Sequence, residues 1–300
     1  MRRLTRLALA GALGSALAAP LGAQQGLDTV QVQATQLGRG VYMLTGAGGN
    51  IGLAVGEDAA FLVDDQFAPL TSKILAAIRA VTDKPVRFLV NTHWHFDHTG
   101  GNENLSKAGT VIVAHENVRK RMSVEQFIAS LNRREPPSPR GALPVITFPD
   151  RVTFYLNGDT IHVVHVPPAH TDGDAIIHWS VANVLHMGDV FFNGRYPFVD
   201  VSSGGSFEGV IGAVNAALAM ANDQTRIIPG HGAAATRADL VKYRDVLVQI
   251  RDRVRALINQ GKTREQVIAA KPTAEWDATW GTGFMQPAVF LGIVYDSMKR

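Results

Sequence analysis

The chain contains no cysteine among its 300 residues. That absence excludes disulfides, thiolate metal sites, cysteine nucleophiles and lipid attached to a cysteine. An excess of one charge is nearly absent too: 29 Lys and Arg stand against 26 Asp and Glu, a formal net charge of +3. Even that excess is local, because Arg2, Arg3 and Arg6 precede a 13-residue, mostly apolar run from Leu7 to Ala19. The run falls short of the ~20 apolar residues that span a bilayer. Pro20, Gly22 and Ala23 follow it. A basic start, a short apolar stretch and a small-residue exit describe a secretory signal peptide over residues 1–23. Cleavage is expected after Ala23, with Ala18 and Ala19 as alternatives. Without the three N-terminal arginines, residues 24–300 carry 26 basic and 26 acidic side chains. The sequence pI of 9.3 is therefore partly a targeting effect. It is no electrostatic footprint for nucleic acid. The expected location is the periplasm of a Gram-negative cell or the secreted fraction, with no membrane anchor after cleavage.

What is plentiful is apolar residues, 46% of the chain, enough for a packed core. Short β-type runs bounded by Gly and Asp are expected at Val41–Leu44, Ile51–Val55, Phe61–Val63, Val86–Val90 and Val111–Val113. Pro69–Val81 reads as a helix with Leu70, Ile74, Ala77, Ile78 and Val81 on one face. Glu116–Leu131 is expected to be helical, leading into the stiff stretch Pro136–Pro139. The second half repeats the order. Strands are expected at Val152–Leu156, Thr160–Val166, Ala175–Trp179 and Val184–Met187, then a helix over Phe207–Ala221 and a strand at Arg226–Ile228. Strands then helix, twice over, suggests two similar halves packed face to face with helices outside, an α+β layer arrangement. Thr236, with Asp239 three residues on, opens a long helix whose Leu240, Tyr243, Leu247, Ile250, Val254 and Leu257 form a packing stripe. No linker separates this C-terminal helical segment, about 236–300, from the rest, so residues 24–300 are read as one domain.

The chemistry is concentrated between Asn91 and Gly101, directly after the strand Val86–Val90. His93, His95, Asp97 and His98 place four metal-ligating groups within six residues. Four such groups cannot close around one tetrahedral ion without contortion, so the loop is expected to feed two adjacent metals. Further ligands are offered at strand ends: His170, Asp189 and His231, the last flanked by Gly230 and Gly232, which allow close backbone approach. Imidazole and carboxylate without thiolate suits zinc, two ions per chain, with iron or manganese as chemical alternatives.

The His93-x-His95-x-Asp97-His98 motif, followed in order by His170, Asp189 and His231, resembles the metallo-β-lactamase superfamily over essentially the whole mature chain. The resemblance implies a four-layer αβ/βα sandwich with the metal site at one edge. It further implies one metal on His93, His95 and His170, a second on Asp97, His98 and His231, and Asp189 bridging both. Asp64 resembles the family's supporting carboxylate behind the histidine loop. True β-lactamases typically carry Cys or Ser where this chain has Asp189. An aspartate there is usual in hydrolases of thioesters, lactones, phosphodiesters and sulfate esters. The segment Gly188–Pro197 also resembles exported members described as metallo-hydrolases.

The expected activity is hydrolysis of a carbonyl-type bond (β-lactam, lactone, thioester or related ester) in a small molecule. The nucleophile is a metal-bound hydroxide formed from water whose pKa falls from 15.7 to roughly 7. Asp97 would orient it, and Asn193 and Tyr196 are candidates for contacting the substrate oxygen. Arg195 is read as solvated, and His115, His162, His165, His178 and His186 as packed histidines. The rival readings are a mononuclear-iron sulfur dioxygenase of the same fold and a phosphodiesterase or sulfatase-type hydrolase. A diiron oxidoreductase usually has Glu where His95 stands, so His95 favours a hydrolase.

Overall fold

A computed structural model describes residues 26–299; the segment read as a signal peptide lies outside them. Strands β1 (Gln33–Gly38), β2 (Val41–Thr45), β3 (Ile51–Ala54) and β4 (Ala60–Val63) form an antiparallel meander. A helix over Thr71–Arg79 then carries the chain back, so that β5 (Val86–Asn91) runs parallel to β4. β6 (Val111–His115) continues in the same sense. β7 (Gln126–Ile128) and β8 (Arg133–Glu135) leave the sheet as a separate hairpin. β9 (Ile146–Phe148) returns to pair in parallel with β6, closing a seven-stranded sheet.

The second half follows the same plan, as expected from the order of its motifs. β10 (Arg151–Leu156), β11 (Asp159–His165), β12 (Ala175–Trp179) and β13 (Val184–His186) meander. After the helix Phe207–Met220, β14 (Arg226–Ile228) lies parallel to β13, and β15 (Ala235–Thr236) completes a six-stranded sheet.

β4 shows how the layers are built. Phe61 and Val63 point between the sheets, meeting Val90, Val113, Ile161, Val163, Ile177, Trp179 and Ile228. Ala60 and Leu62 point outward onto Ile74 and Ile78 of the helix Thr71–Arg79. Burial of both faces explains why the strand reads as an unbroken apolar run rather than an alternation. On the far side Ile176, Leu185 and Ile227 pack against the helices Phe207–Met220, Arg237–Asn259 and Pro287–Met298. The product is helix, sheet, sheet, helix: the expected αβ/βα sandwich. Thr236 and Asp239 close a reciprocal capping box on the long helix, and Leu240, Tyr243, Leu247, Ile250 and Val254 are buried along it. Among the described residues no helix is long and apolar enough to cross a membrane.

One expected helix is shortened. It spans Glu116–Met122, not Glu116–Leu131. Val118 and Met122 form its buried stripe, but the next positions of that stripe are Glu125 and Gln126, which have nothing apolar to bury. The chain turns instead through Asn132, whose φ is +47°, to make the β7–β8 hairpin. β1 was not among the expected strands, because its mostly polar, exposed residues carry no hydrophobic alternation.

The direction of the strands places the site. β4, β5 and β6 run one way in the first sheet, and β11, β13 and β14 run one way in the second. Asp64, His93, His170, Asp189 and His231 all follow the carboxyl ends of such strands, where α/β folds gather their ligand sites. Phe61, fully buried between the sheets with edge-on contacts to Phe154 and Trp179, tests the layering. Phe61→Ala is expected to destabilise the protein by about 3–5 kcal/mol. Denaturant unfolding showing less than about 1 kcal/mol would contradict a packed inter-sheet core there.

Candidate metal centre

Asp64 ends β4 with φ at +61°, fully buried. A non-glycine residue in this left-handed region is strained, and three hydrogen bonds hold it there. Its carboxylate accepts from the Thr92 backbone N–H at 2.8 Å, from the Thr92 hydroxyl at 2.7 Å and from His98 Nδ1 at 2.7 Å. These bonds tie the end of β4 to the histidine loop, the support expected of Asp64.

Each loop histidine is held by one ring nitrogen so that the other is free. The Thr92 hydroxyl, donating to Asp64, accepts from His93 Nδ1 at 3.0 Å and leaves His93 Nε2. Asp200 holds His95 Nε2 at 3.1 Å and leaves Nδ1. The bond to Asp64 leaves His98 Nε2. His170 donates from Nδ1 to the Phe198 carbonyl at 2.7 Å, leaving Nε2 only 2.8 Å from the free nitrogen of His95. Such outer contacts fix both the tautomer and the direction of a ligating imidazole.

The free atoms gather into two groups. Ligand atoms of His93, His95, His170 and Asp189 lie within 4.8 Å of one another, as do those of Asp97, His98 and His231. Asp189 reaches both. Its Oδ1 is 3.1 Å from His98 Nε2, and its Oδ2 is 3.3 Å from His231, 3.6 Å from His170 and 3.9 Å from His93. Gly230 makes room for this: a Cβ there would stand 2.0 Å from Asp189 Oδ1.

These residues fit divalent cations. His93 Nε2, His98 Nε2 and Asp189 Oδ1 are buried without a hydrogen bond, which is costly unless something else takes their lone pairs. All seven donors expected from the sequence therefore come together, in the two groups expected, around one shared carboxylate.

Without a cation the cluster balances itself by protonation. Burial and the neighbouring imidazoles hold His93 well below an ordinary histidine pKa, and burial and His95 bring His170 down to about 4. Burial works against charge on His98 and His231 as well, but Asp189 and Asp97 overcome it. They push His98 well up and His231 to about 9. Against the opposing effect of burial, the same partners hold Asp189 well below the carboxylate range and Asp97 at about 2.

The two residues expected to contact the substrate oxygen make other contacts within the protein. The Tyr196 hydroxyl donates to Asp277 at 2.8 Å and lies 3.2 Å from the Thr273 carbonyl, committed to the C-terminal helices. Tyr196 nonetheless lines the cleft. Asn193 donates to the Ala233 carbonyl at 3.0 Å and does not line the cleft. His186 and His115 are packed as expected. His186 donates from Nε2 to the Asn50 carbonyl at 3.1 Å, and His115 stacks on His165 at 3.7 Å. Asp200 was not anticipated, because nothing near it in the chain marks a partner 105 residues away.

The cleft over the site has a volume of about 250 Å³. Phe192 stacks on His231 at 5.1 Å and Phe198 on His95 at 5.7 Å. Phe67, Phe96, Ile128, Leu131, Phe284 and Met285 extend the apolar walls. Ile128 and Leu131 bring the segment after the helix Glu116–Met122 into the cleft. The loop Gly46–Asn50 does not line the cleft and instead supports it, with Gly49 against the His98 ring.

Residues 44–231 match the model of the metallo-beta-lactamase superfamily. The linear primary-alkylsulfatase of Pseudomonas sp. (strain ATCC 19151) is 23% identical over 235 residues, 65% of this chain and 44% of that protein. This chain thus spans less than half of that relative. The metallo-beta-lactamase from Pontibacter korlensis superposes with a TM-score of 0.60 at 19% identity, covering 73% of this chain and 99% of that one. The stereoselective inverting sec-alkylsulfatase Pisa1 from Pseudomonas sp. gives 0.65 at 18%, covering 88% of this chain and 50% of that one. These structural likenesses show the fold.

Protonated His98 and His231 must lose their protons to bind a cation. At pH 7.5, below the raised pKa of His231 at about 9, titrating zinc into metal-free protein is expected to release about two protons per chain. Affinity should rise with pH up to about 9. Calorimetry in buffers of different ionisation enthalpy reads the release directly, and heats independent of buffer would contradict the assignment of these two histidines.

Proposed function

The chain belongs to the metallo-beta-lactamase superfamily, and on that premise we propose that it is an exported hydrolase using two zinc ions per chain on a small ester-like substrate. The observation that carries this reading is Asp189, whose single carboxylate reaches His98 at 3.1 Å and His170 at 3.6 Å in different donor groups. A carboxylate so placed can serve two cations at once. A donor set of imidazole and carboxylate in a chain without cysteine supports zinc.

His93, His95 and His170 would hold one ion, Asp97, His98 and His231 the other, with Asp189 between them. When bound, such a pair supplies Lewis acidity and brings the pKa of coordinated water towards neutrality. The protein's part is positioning. Asp64, Thr92, Asp200 and the Phe198 carbonyl lock the imidazole orientations. Asp97, 18% exposed, is the carboxylate able to orient an attacking water. Phe192 and Phe198 exclude bulk water from one side, which strengthens the electrostatics of the site.

The substrate class follows from charge and shape. Asp189 adds a negative charge relative to the neutral Ser that stands there in some true β-lactamases, which disfavours a β-lactam carboxylate beside the scissile amide. Lactones, thioesters and simple esters meet no such penalty, and the apolar walls suit them. A sulfate ester is the second reading, supported by the likeness to two alkylsulfatases. Export rests on Arg2, Arg3, Arg6 and the run Leu7–Ala19.

Native protein tested on a cephalosporin, a carbapenem, a lactone, a thioester, an alkyl sulfate and a phosphodiester is expected to turn over the ester-like compounds best and lose activity to a chelator. Its N-terminus should lie near Gln24 and its metal content near two zinc. Asp189→Ser should bind its second metal less tightly. One iron and no zinc would favour the dioxygenase rival. Carbapenem hydrolysis at about 10⁶ M⁻¹s⁻¹ or more, high in the range of kcat/KM, would overturn the substrate reading.

A further inference from the structure

The two donor groups are not braced alike. Residues 198–203 support one of them. The Phe198 carbonyl accepts from His170 Nδ1 at 2.7 Å, the Asp200 backbone N–H donates to the His170 carbonyl at 2.9 Å, and the Asp200 carboxylate accepts from His95 Nε2 at 3.1 Å. His95 and His170 belong to the group that contains His93. The other group is braced from other parts of the chain. Asp64 holds the His98 ring, and the carbonyls of Asp97, His98 and His231 accept from the N–H groups of Gly49, Asp65 and Asn193 at 3.1, 3.0 and 3.0 Å.

What holds Asp200 itself is the pair of serines after it. Its carboxylate is fully buried. One oxygen accepts from the Ser202 hydroxyl at 2.5 Å and the Ser203 N–H at 3.2 Å; the other accepts from the Ser203 hydroxyl at 2.5 Å beside His95. A carboxylate free to turn about its last bond would not hold a ring in one direction, and these donors fix its plane. The Ser203 hydroxyl is buried and accepts in turn from Trp94 Nε1 at 3.2 Å, while the Trp94 ring meets His95 edge-on at 4.7 Å. Ser203 therefore braces His95 from two sides.

Ser202 is exposed, yet its hydroxyl is spent inside the protein. It donates to Asp200 and accepts from the Ala129 N–H at 3.2 Å. Ala129 lies between Ile128 and Leu131, which line the cleft, in the turn of the β7–β8 hairpin. Two strands that pair only with each other are marginal by themselves, so the place of this wall depends on such tethers. A continuous run of hydrogen bonds leads from the cleft wall through Ser202 and Asp200 to His95.

We propose that Ser202 and Ser203 are positioning residues for one cation of the pair, the one on His93, His95 and His170, and that the Ala129–Ser202 bond ties its affinity to the seating of the cleft wall. The proposal rests on the donor grouping of the two-cation reading and not on which bond is cut. Outer partners of a ligating imidazole set its direction and its strength as a ligand. Here they act on one site and leave its neighbour, about one carboxylate away, to Asp64.

Cadmium loaded into the metal-free protein and read by cadmium NMR is expected to give two resonances, and His231→Ala assigns them by disturbing the one of its own group. Ser202→Ala and Ser203→Ala should each move the other resonance and weaken zinc there about 10- to 100-fold in competition with a chromophoric chelator. The Asp97, His98 and His231 site should keep its resonance and affinity. Ser202→Thr, which keeps the hydroxyl, should restore both readings. Ala129→Pro removes only the N–H that donates to Ser202; proline suits the first position of a helical turn, and Ile128 before it is already extended. It should move the same resonance as Ser202→Ala. Because Ser202 is exposed, its variants remain readable even where Ser203→Ala does not fold. No change at either site, or equal loss at both, overturns the proposal, and an unmoved resonance in Ala129→Pro overturns the tie to the wall. A single cadmium resonance in wild type would fail the two-cation reading instead, and whether the serine variants move it still decides the role of the serines. None of these readings involves hydrolysis, so a protein that shows the selective shift but cleaves no ester upholds the positioning role and fails only the functional reading.

Discussion

A carboxylate buried among imidazoles sets the terms for this molecule. Asp189 is 5% exposed and lies within 3.9 Å of four histidine nitrogens. A charge in that position is tolerable only with positive charge beside it. The chain offers two solutions: protons on His98 and His231, or cations held by all seven donors. The first leaves His93 Nε2 unsatisfied; the second engages it. The site is thus built for a charge it does not itself contain.

Much of the surrounding architecture serves that arrangement at some cost to stability. Asp64 is held in a left-handed conformation and Gly230 is placed where any side chain would strike Asp189. Both features fit a site whose strain is offset when cations bind the folded state but not the unfolded one. The sandwich supplies the rigidity, with Phe61, Val63, Ile177 and Trp179 locking one sheet on the other. Parallel strands then deliver every ligand to the same edge.

The donor set was legible in the sequence because it is local in character. His93, His95, Asp97 and His98 sit in one loop, and His170, Asp189 and His231 each follow a strand and precede turn residues. The layering was legible for a similar reason, since runs such as Phe61–Val63 and the stripe Leu240–Val254 record burial directly. What escaped depended on distance along the chain. Asp200 acts on His95 across 105 residues, and Phe284 reaches the cleft from a loop whose own composition suggests only a turn. The bond from the Tyr196 hydroxyl to Asp277, 81 residues on, was hidden for the same reason. The helix expected over Glu116–Leu131 failed where its buried stripe met Glu125 and Gln126, a local signal outweighed by the helix-forming composition around it.

The central claim is that one carboxylate serves two cations. A crystal structure of zinc-loaded protein, with anomalous diffraction data on both sides of the zinc edge, tests it most directly. The account predicts two zinc peaks, one among His93, His95 and His170 and one among Asp97, His98 and His231, with an oxygen of Asp189 ligating each. A single peak, or two peaks with Asp189 bound to one alone, would contradict it.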